Sequence, residues 1–339
     1  MKNRLLKPAA AMVIAVVSAI AAVAAFLLTG CSFGTDSTGD KYAFLFGIAD
    51  YSGYYWTYPG DKDLSLNYTD DDAEDLAALL ESQGWTVNLR IDGGDEASGA
   101  LAATRGQFEE DAAWAAENLT PEDTVLFYVS SHGTYLSGGD TGEADGGYDE
   151  WVCLFSESFS LNDYDSYGNV CVSDDTMGEW LSLIDARKIV IIDACNSGGF
   201  IGTQAVIDGI DYDPEYDTQG TLYGRPLLAD SVTLFLSFPS AEALDTPAST
   251  AFLLTAAGEL EESLETSSLE HGIFTYLLLA AGGYYTPGSL PGDLDSDGYV
   301  TLLEAYSYAE EELLPLYDYY DFLPRVSGTS VDIVLFSLD

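Results

Sequence analysis

Two side chains stand out for the chemistry they could perform together. Cys195 follows the apolar run Lys188–Ile192, inside the turn Asp193-Ala194-Cys195-Asn196-Ser197-Gly198-Gly199. His132 follows Thr124–Val129, inside Ser130-Ser131-His132-Gly133. A cysteine attacks as its thiolate, and a neighbouring imidazole can take the thiol proton and later return it to a leaving amine. Small residues around Cys195 leave the thiol open to a cleft and turn backbone N–H groups towards it, as a developing oxyanion requires. A lone histidine is more commonly structural, and it is the pairing with Cys195 that gives His132 a chemical reading.

A second constellation is suited to a hard cation. Asp293-Leu294-Asp295-Ser296-Asp297-Gly298-Tyr299-Val300-Thr301-Leu302-Leu303-Glu304 fits the D-x-[DN]-x-[DN]-G-x₅-E calcium-loop pattern. Oxygens of Asp293, Asp295, Asp297, the Tyr299 carbonyl, Thr301 and Glu304 would encircle one Ca²⁺, with Gly298 making the turn. Pro287 and Pro291 interrupt any helix upstream, so the expectation is an EF-hand-like half-site holding a single ion.

The elements that must position these residues follow from hydrophobic periodicity. Tyr42–Ile48, Trp85–Ile91, Thr124–Val129, Trp151–Phe155, Lys188–Ile192, Val232–Phe238, Ala251–Ala256 and Val331–Phe336 read as strands. Helical spacing is expected over Asp70–Gln83, Ala100–Asn118, Asp175–Ile184, Gly272–Ala281 and the stretch after the calcium loop, with His271 read as a helix-start residue. Strands alternating with helices imply an α/β fold with a mostly parallel central sheet covered on both faces. In such sheets functional residues gather at the carboxyl ends of strands, where His132 and Cys195 both fall. The acidic, Gly- and Tyr-rich residues 201–230 read as a long loop between segments.

The N-terminus is expected to be a leader. Lys2, Arg4 and Lys7 precede a long apolar run that ends at Leu28-Thr29-Gly30-Cys31, the pattern of a secretory signal, and its last four residues resemble a lipobox. The implied organisation is a signal peptide over 1–30, lipid on Cys31, and a polar tether over 31–40. An uncleaved anchor helix is the alternative. Either way the remainder is expected outside the cytoplasm, tethered to a membrane. Eleven basic residues against 57 acidic ones give a net charge of −46, which argues against nucleic-acid partners and favours cations or basic polypeptides. An apolar content of 47% argues against disorder. Cys153 and Cys171 remain as either a disulfide or two buried thiols.

Tyr128-Val129-Ser130-Ser131-His132-Gly133 together with Ile191-Ile192-Asp193-Ala194-Cys195-Asn196-Ser197-Gly198 resembles the caspase-like peptidase superfamily, in particular its metacaspase-type prokaryotic members. Leu66–Ala73, Asp145–Glu150 and Glu270–Leu279 resemble further segments of that family. The resemblance implies a caspase-like three-layer sandwich over 41–285, followed by a C-terminal extension over 286–339. It implies a cysteine endopeptidase with Cys195 as nucleophile, His132 as general acid/base, and the amides of Gly133 and Cys195 as oxyanion donors. Carrying over the metacaspase pattern puts Asp72, Asp193 and Ser130 in the primary pocket, and carboxylates there would select Arg or Lys. Arg225, in the long loop, is then a candidate self-cleavage position. The alternative is a catalytically silent caspase-fold surface protein acting as a calcium-dependent binding module.

Overall fold

The computed structural model describes residues 39–56, 58–59, 64–94, 99–136, 149–197, 200, 251–258, 261–327 and 333–338. The leader, Cys31, the strand expected over Val232–Phe238, and Arg225 with its loop lie outside the described residues.

In chain order the first elements are β1 (Lys41–Gly47), β2 (Tyr54–Tyr55), α1 (Thr69–Ser82), β3 (Thr86–Ile91), α2 (Arg105–Asn118) and β4 (Thr124–Ser130). After them come β5 (His132–Leu136), β6 (Asp149–Cys153), β7 (Phe159–Ser160), β8 (Cys171–Ser173), α3 (Asp174–Ser182) and β9 (Arg187–Asp193). The C-terminal part holds β10 (Phe252–Thr255), β11 (Glu265–Thr266), β12 (His271–Gly272) and α4 (Ile273–Ala281). It ends with β13 (Tyr299–Thr301), α5 (Leu302–Leu313), β14 (Arg325–Ser327) and β15 (Val334–Ser337). The central sheet has the order β14-β10-β9-β4-β1-β3, parallel throughout except for the edge strand β14. Among the described residues no helix is long and apolar enough to cross a membrane.

Strand alternation divides the interior into two layers. Phe44, Phe46, Val125, Phe127, Val129, Val190 and Ile192 pack against Phe108, Ala112 and Ala115 of α2 and Met177 and Leu181 of α3. Ala43, Leu45, Leu126, Tyr128, Ile189 and Ile191 face the opposite way, onto Leu76 and Leu80 of α1, Phe274 and Leu278 of α4, and Ala305 and Ala309 of α5. The architecture is therefore helix, sheet, helix. A buried polar crosspiece ties α2 to the sheet: Arg90 donates to both oxygens of Asp111, at 2.8 and 2.9 Å.

Several expectations change in detail. α2 begins at Arg105 and not near Ala100, because Thr104 Oγ1 caps it by accepting from Gln107 N. The residues expected as its first turn instead continue the sheet edge, where Leu101 bridges Arg90. His132 does not end the central strand. β4 stops at Ser130, and His132 opens β5 of a separate antiparallel sheet, β5-β6-β8. Cys153 and Cys171 face one another across β6 and β8 as buried free thiols. The 286–339 stretch is no separate appendage: β14 borders the central sheet and α5 completes one of its helical layers.

Candidate active site

The register of β4 against β9 builds the site. Ser130 stands directly beside Asp193. By two-residue alternation both point to the face carrying α1 and α4, since Leu126, Tyr128, Ile189 and Ile191 do. Two residues further along each chain come His132 and Cys195. The β4–β9 pairing ends before them, and both line the same cavity as Ser130 and Asp193. Ser131 N extends the pairing by donating to the Asp193 carbonyl at 3.1 Å. A cavity of about 210 Å³ opens at this edge, lined by Asp72, Ser130, His132, Asp193, Cys195 and Gly272 among others.

His132 is held from two sides. Its Nε2 lies 2.7 Å from the Leu64 carbonyl. A carbonyl only accepts, so Nε2 carries the proton and Nδ1 is the basic nitrogen of the neutral ring. Tyr51 packs its ring 4.5 Å from the imidazole, and its hydroxyl accepts from His132 N at 2.9 Å while donating to the Cys153 carbonyl at 2.7 Å. Gly133 lies against the nucleophile's backbone, and a Cβ there would collide with the Cys195 carbonyl oxygen. This is a close approach that only glycine permits.

Cys195 is half-buried, with Sγ 3.6 Å from the Ser263 carbonyl. Burial pushes its thiol up to about 11, and the Glu262 carboxylate adds to that. Both effects favour the neutral thiol over the thiolate. Asn196 takes φ +58° to complete the turn and donates its N–H to the Glu261 carbonyl at 2.9 Å. The Glu261 carboxylate in turn accepts from Arg325 Nη2 at 3.0 Å, from Leu323 N at 3.0 Å and from Gly258 N at 2.9 Å.

The pocket floor carries two buried carboxylates. Burying an ionised carboxylate costs several kcal/mol unless its oxygens are hydrogen-bonded, and these are. Asp193 accepts from Ser263 Oγ at 2.5 Å, Thr275 Oγ1 at 2.7 Å and Thr275 N at 3.1 Å. Asp72 accepts from Ser130 Oγ at 2.9 Å, Gly272 N at 3.1 Å and His271 Nδ1 at 2.9 Å. Burial pushes the Asp72 carboxyl up to about 7; the His271 hydrogen bond works against this and the Asp193 charge with it. Burial also raises Asp193, opposed by its bonds from Ser263 and Thr275. A Cβ on Gly272 would stand 2.6 Å from Asp193 Oδ2 and 3.0 Å from Asp72 Oδ2. Glycine here keeps open the gap between the two acids. Glu265 also lines the cavity and accepts from Asn67 N and Tyr68 N at 3.0 and 3.1 Å, capping α1, whose own N-cap residue Tyr68 supplies no side-chain bond.

Tyr51, the Leu64 carbonyl, Glu265, Gly272 and Thr275 were not singled out from sequence. The contacts of Tyr51, Leu64, Gly272 and Thr275 span 68 or more positions along the chain. His271 was read as a helix start. It instead lies buried in β12, with its ring on Asp72.

The C-terminal loop is remote in character from this pocket. Asp293, Asp295 and Asp297 bring one oxygen each within 4.8 Å of one another, and Ser296 and Gly298 turn through positive φ. That donor set is right for a hard cation. Glu304, expected to close the ring, falls outside the convergent group. It forms a capping box with Thr301 at the start of α5 and accepts from Leu294 N at 3.1 Å. Tyr299 and Thr301 lie in β13, paired with β15.

Comparison with known proteins agrees with this fold. The caspase-domain family model matches residues 40–285. Metacaspase-3 of Arabidopsis thaliana is 29% identical over 165 residues, which make up 47% of this chain and 40% of that protein. The chain thus spans well under half the length of this relative. A Geobacter sulfurreducens protein of known crystal structure is similar in fold, with TM-score 0.53 and 19% identity over 86% of this chain and 94% of that one. Caspase-1 of Spodoptera frugiperda is more distant, with TM-score 0.46 and 12% identity over 88% and 89% of the two chains. The match of the caspase-domain model over most of the chain, on a helix-sheet-helix sandwich, identifies the chain as a member of the caspase family of cysteine peptidases.

Proposed function

We propose that the protein is an endopeptidase that cleaves after Arg or Lys through a Cys195–His132 dyad. The observation that carries this reading is one cavity lined by Cys195 and His132 together with the buried carboxylates Asp72 and Asp193. His132 is the only basic residue lining that cavity among the described residues. A guanidinium entering it gains charge-assisted hydrogen bonds, whereas an acidic side chain would meet like charge.

The neutral thiol dictates the order of events. As substrate binds, Cys195 Sγ attacks the scissile carbonyl carbon while its proton passes to His132 Nδ1, Nε2 being occupied by the Leu64 carbonyl. The amides of Gly133 and Cys195 receive the oxyanion. Collapse breaks the C–N bond, and the imidazolium returns its proton to the departing amine, leaving a thioester. Water then attacks the thioester, giving one proton to Nδ1, and the carboxylic acid leaves as the thiol is restored.

The test is a fluorogenic peptide series differing only in the residue before the scissile bond. Arg and Lys peptides should be cleaved, Asp peptides should not, and Cys195→Ala and His132→Ala should abolish turnover. Preference for Asp would refute the specificity. Failure of an Arg-containing thiol-reactive analogue to label Cys195 would leave a silent binding protein.

We also infer that the 293–304 loop binds one Ca²⁺ as a structural ion, through Asp293, Asp295 and Asp297, with Tyr299, Thr301 and Glu304 completing the set. Two parts of the reading concern residues outside the described ones. Lipid on Cys31 would anchor the protein outside the cytoplasm, and Cys31→Ser should then release it from the membrane fraction. Self-cleavage after Arg225 should be lost in Arg225→Ala without loss of peptide turnover.

A further inference from the structure

His271 touches no catalytic atom, yet it is bonded to the pocket. Its Nδ1 lies 2.9 Å from Asp72 Oδ1, and its Nε2 lies 3.4 Å from Asp75 Oδ2. With a carboxylate against each nitrogen, the imidazole is suited to hold both protons as an imidazolium. The groups facing it come from every element packed around it. Asp71, Asp72 and Asp75 project from α1, Glu270 stands immediately before it, and Tyr276 of α4 and Tyr285 beyond α4 have ring centroids at 6.4 Å. Tyr284 completes this wall beside Asp75. Among the described residues His271 is the one basic side chain in this surround, while Asp193 lies near enough to Asp72 for its charge to act on it.

We propose that His271 is a positioning residue for substrate selection: it keeps Asp72 ionised and aimed into the pocket, and so sets the pH range over which a basic side chain is accepted. The inference rests on the Arg/Lys reading of the pocket. Asp72 lines the cavity; its Oδ2 accepts from Ser130 Oγ, its Oδ1 from His271, and the Gly272 amide is shared between the two oxygens at 3.1 and 3.3 Å. Burial and the Asp193 charge both favour the protonated acid, and the His271 bond and charge oppose them. His271 itself pays a burial penalty, but the Asp72 bond and the Asp72, Asp75 and Asp71 charges outweigh it and raise its proton affinity. The sign follows. Asp72 is charged above its shifted midpoint, so discrimination for Arg is full at higher pH and is lost as pH falls through neutrality. Without the imidazolium that midpoint moves further up.

The measurement is kcat/KM against pH for matched peptides carrying Arg or citrulline, its uncharged isostere, before the scissile bond. In wild type the Arg-to-citrulline ratio should fall as pH drops below about 7. In His271→Gln the midpoint should move up by about one pH unit, so that the ratio at pH 7 drops about fivefold, mostly through KM. Citrulline turnover should be unchanged. Asp75→Asn should shift the midpoint in the same direction by less. That carboxylate is one-third exposed and lies outside the pocket, so it decides the matter if His271→Gln does not fold. A wild-type ratio near one would refute the Arg/Lys reading itself. A normal wild-type ratio with unmoved midpoints in both variants would overturn the role of His271 alone.

Discussion

The molecule holds two groups of carboxylates, built in opposite ways. Asp72 and Asp193 are buried, 121 positions apart along the chain, and held by donors from β4, the 261–265 segment, β12 and the start of α4. Asp293, Asp295 and Asp297 are alternate residues at the surface, and they accept from amides of their own loop: Asp297 N, Gly298 N and Tyr299 N. The first pair exists only if the whole sandwich is assembled. The second is a property of one turn. Both present negative charge to a cation, but the pocket suits a large organic one attached to a peptide and the loop a small bare one.

That contrast can be broken by experiment, most sharply at the pocket. Asp193→Asn leaves volume and hydrogen-bonding shape nearly intact while removing a buried charge. It should lower kcat/KM on Arg peptides about 100-fold, roughly 3 kcal/mol, as expected for truncating a buried charged partner. Calcium affinity, read by calorimetry, should stay the same. Gly272→Ala tests the gap between the acids. Its methyl carbon would press on Asp193 Oδ2, and KM for Arg peptides should rise about tenfold, the order of one lost charge-assisted contact, with a smaller change for Ala peptides. The smallest effect on catalysis belongs to the loop. Asp295→Ala should erase a calcium-induced rise in Tm of about 2–4 °C, the shift corresponding to about 1 kcal/mol in a domain of this size, and leave peptide turnover within about twofold of wild type. An Asp295→Ala variant that lost Arg discrimination would show the two acidic groups to be coupled.

Legibility in the sequence follows the same division. β4, β9 and β10 were readable as short apolar runs buried on both faces, as Thr124–Ser130 is at every position, whereas the edge strand β14 (Arg325–Ser327) went unread. The convergence of Asp293, Asp295 and Asp297 was readable because acids recur there at fixed short spacing. His132 and Cys195 were readable from their place after such runs, and Asp72, Ser130 and Asp193 only through family resemblance. What could not be read were partners set by tertiary register. Asp72 stands in a run of three helix-start acids that would suit solvent, and its burial is decided by where α1 lands on β4. His271 looked like a terminus residue because its carboxylate partner lies 199 positions away. Leu64 contributes a backbone carbonyl, and a backbone carries no residue-specific signal. The change from β4 to β5 at Ser131 was also hidden, since nothing in Ser-Ser-His-Gly distinguishes the end of a strand from a switch between sheets.

The grip on Glu261 has a practical consequence. Its carbonyl steadies the cysteine turn through Asn196, while its carboxylate is fastened by Arg325 from β14. The family match ends at residue 285, well before that arginine. A protein trimmed to the matched boundary would keep every reactive group yet strand a buried acid without its cation, at a cost of about 3–5 kcal/mol. The tail of the chain thus serves as a latch on the nucleophile, and the working unit is longer than the homology that identifies it.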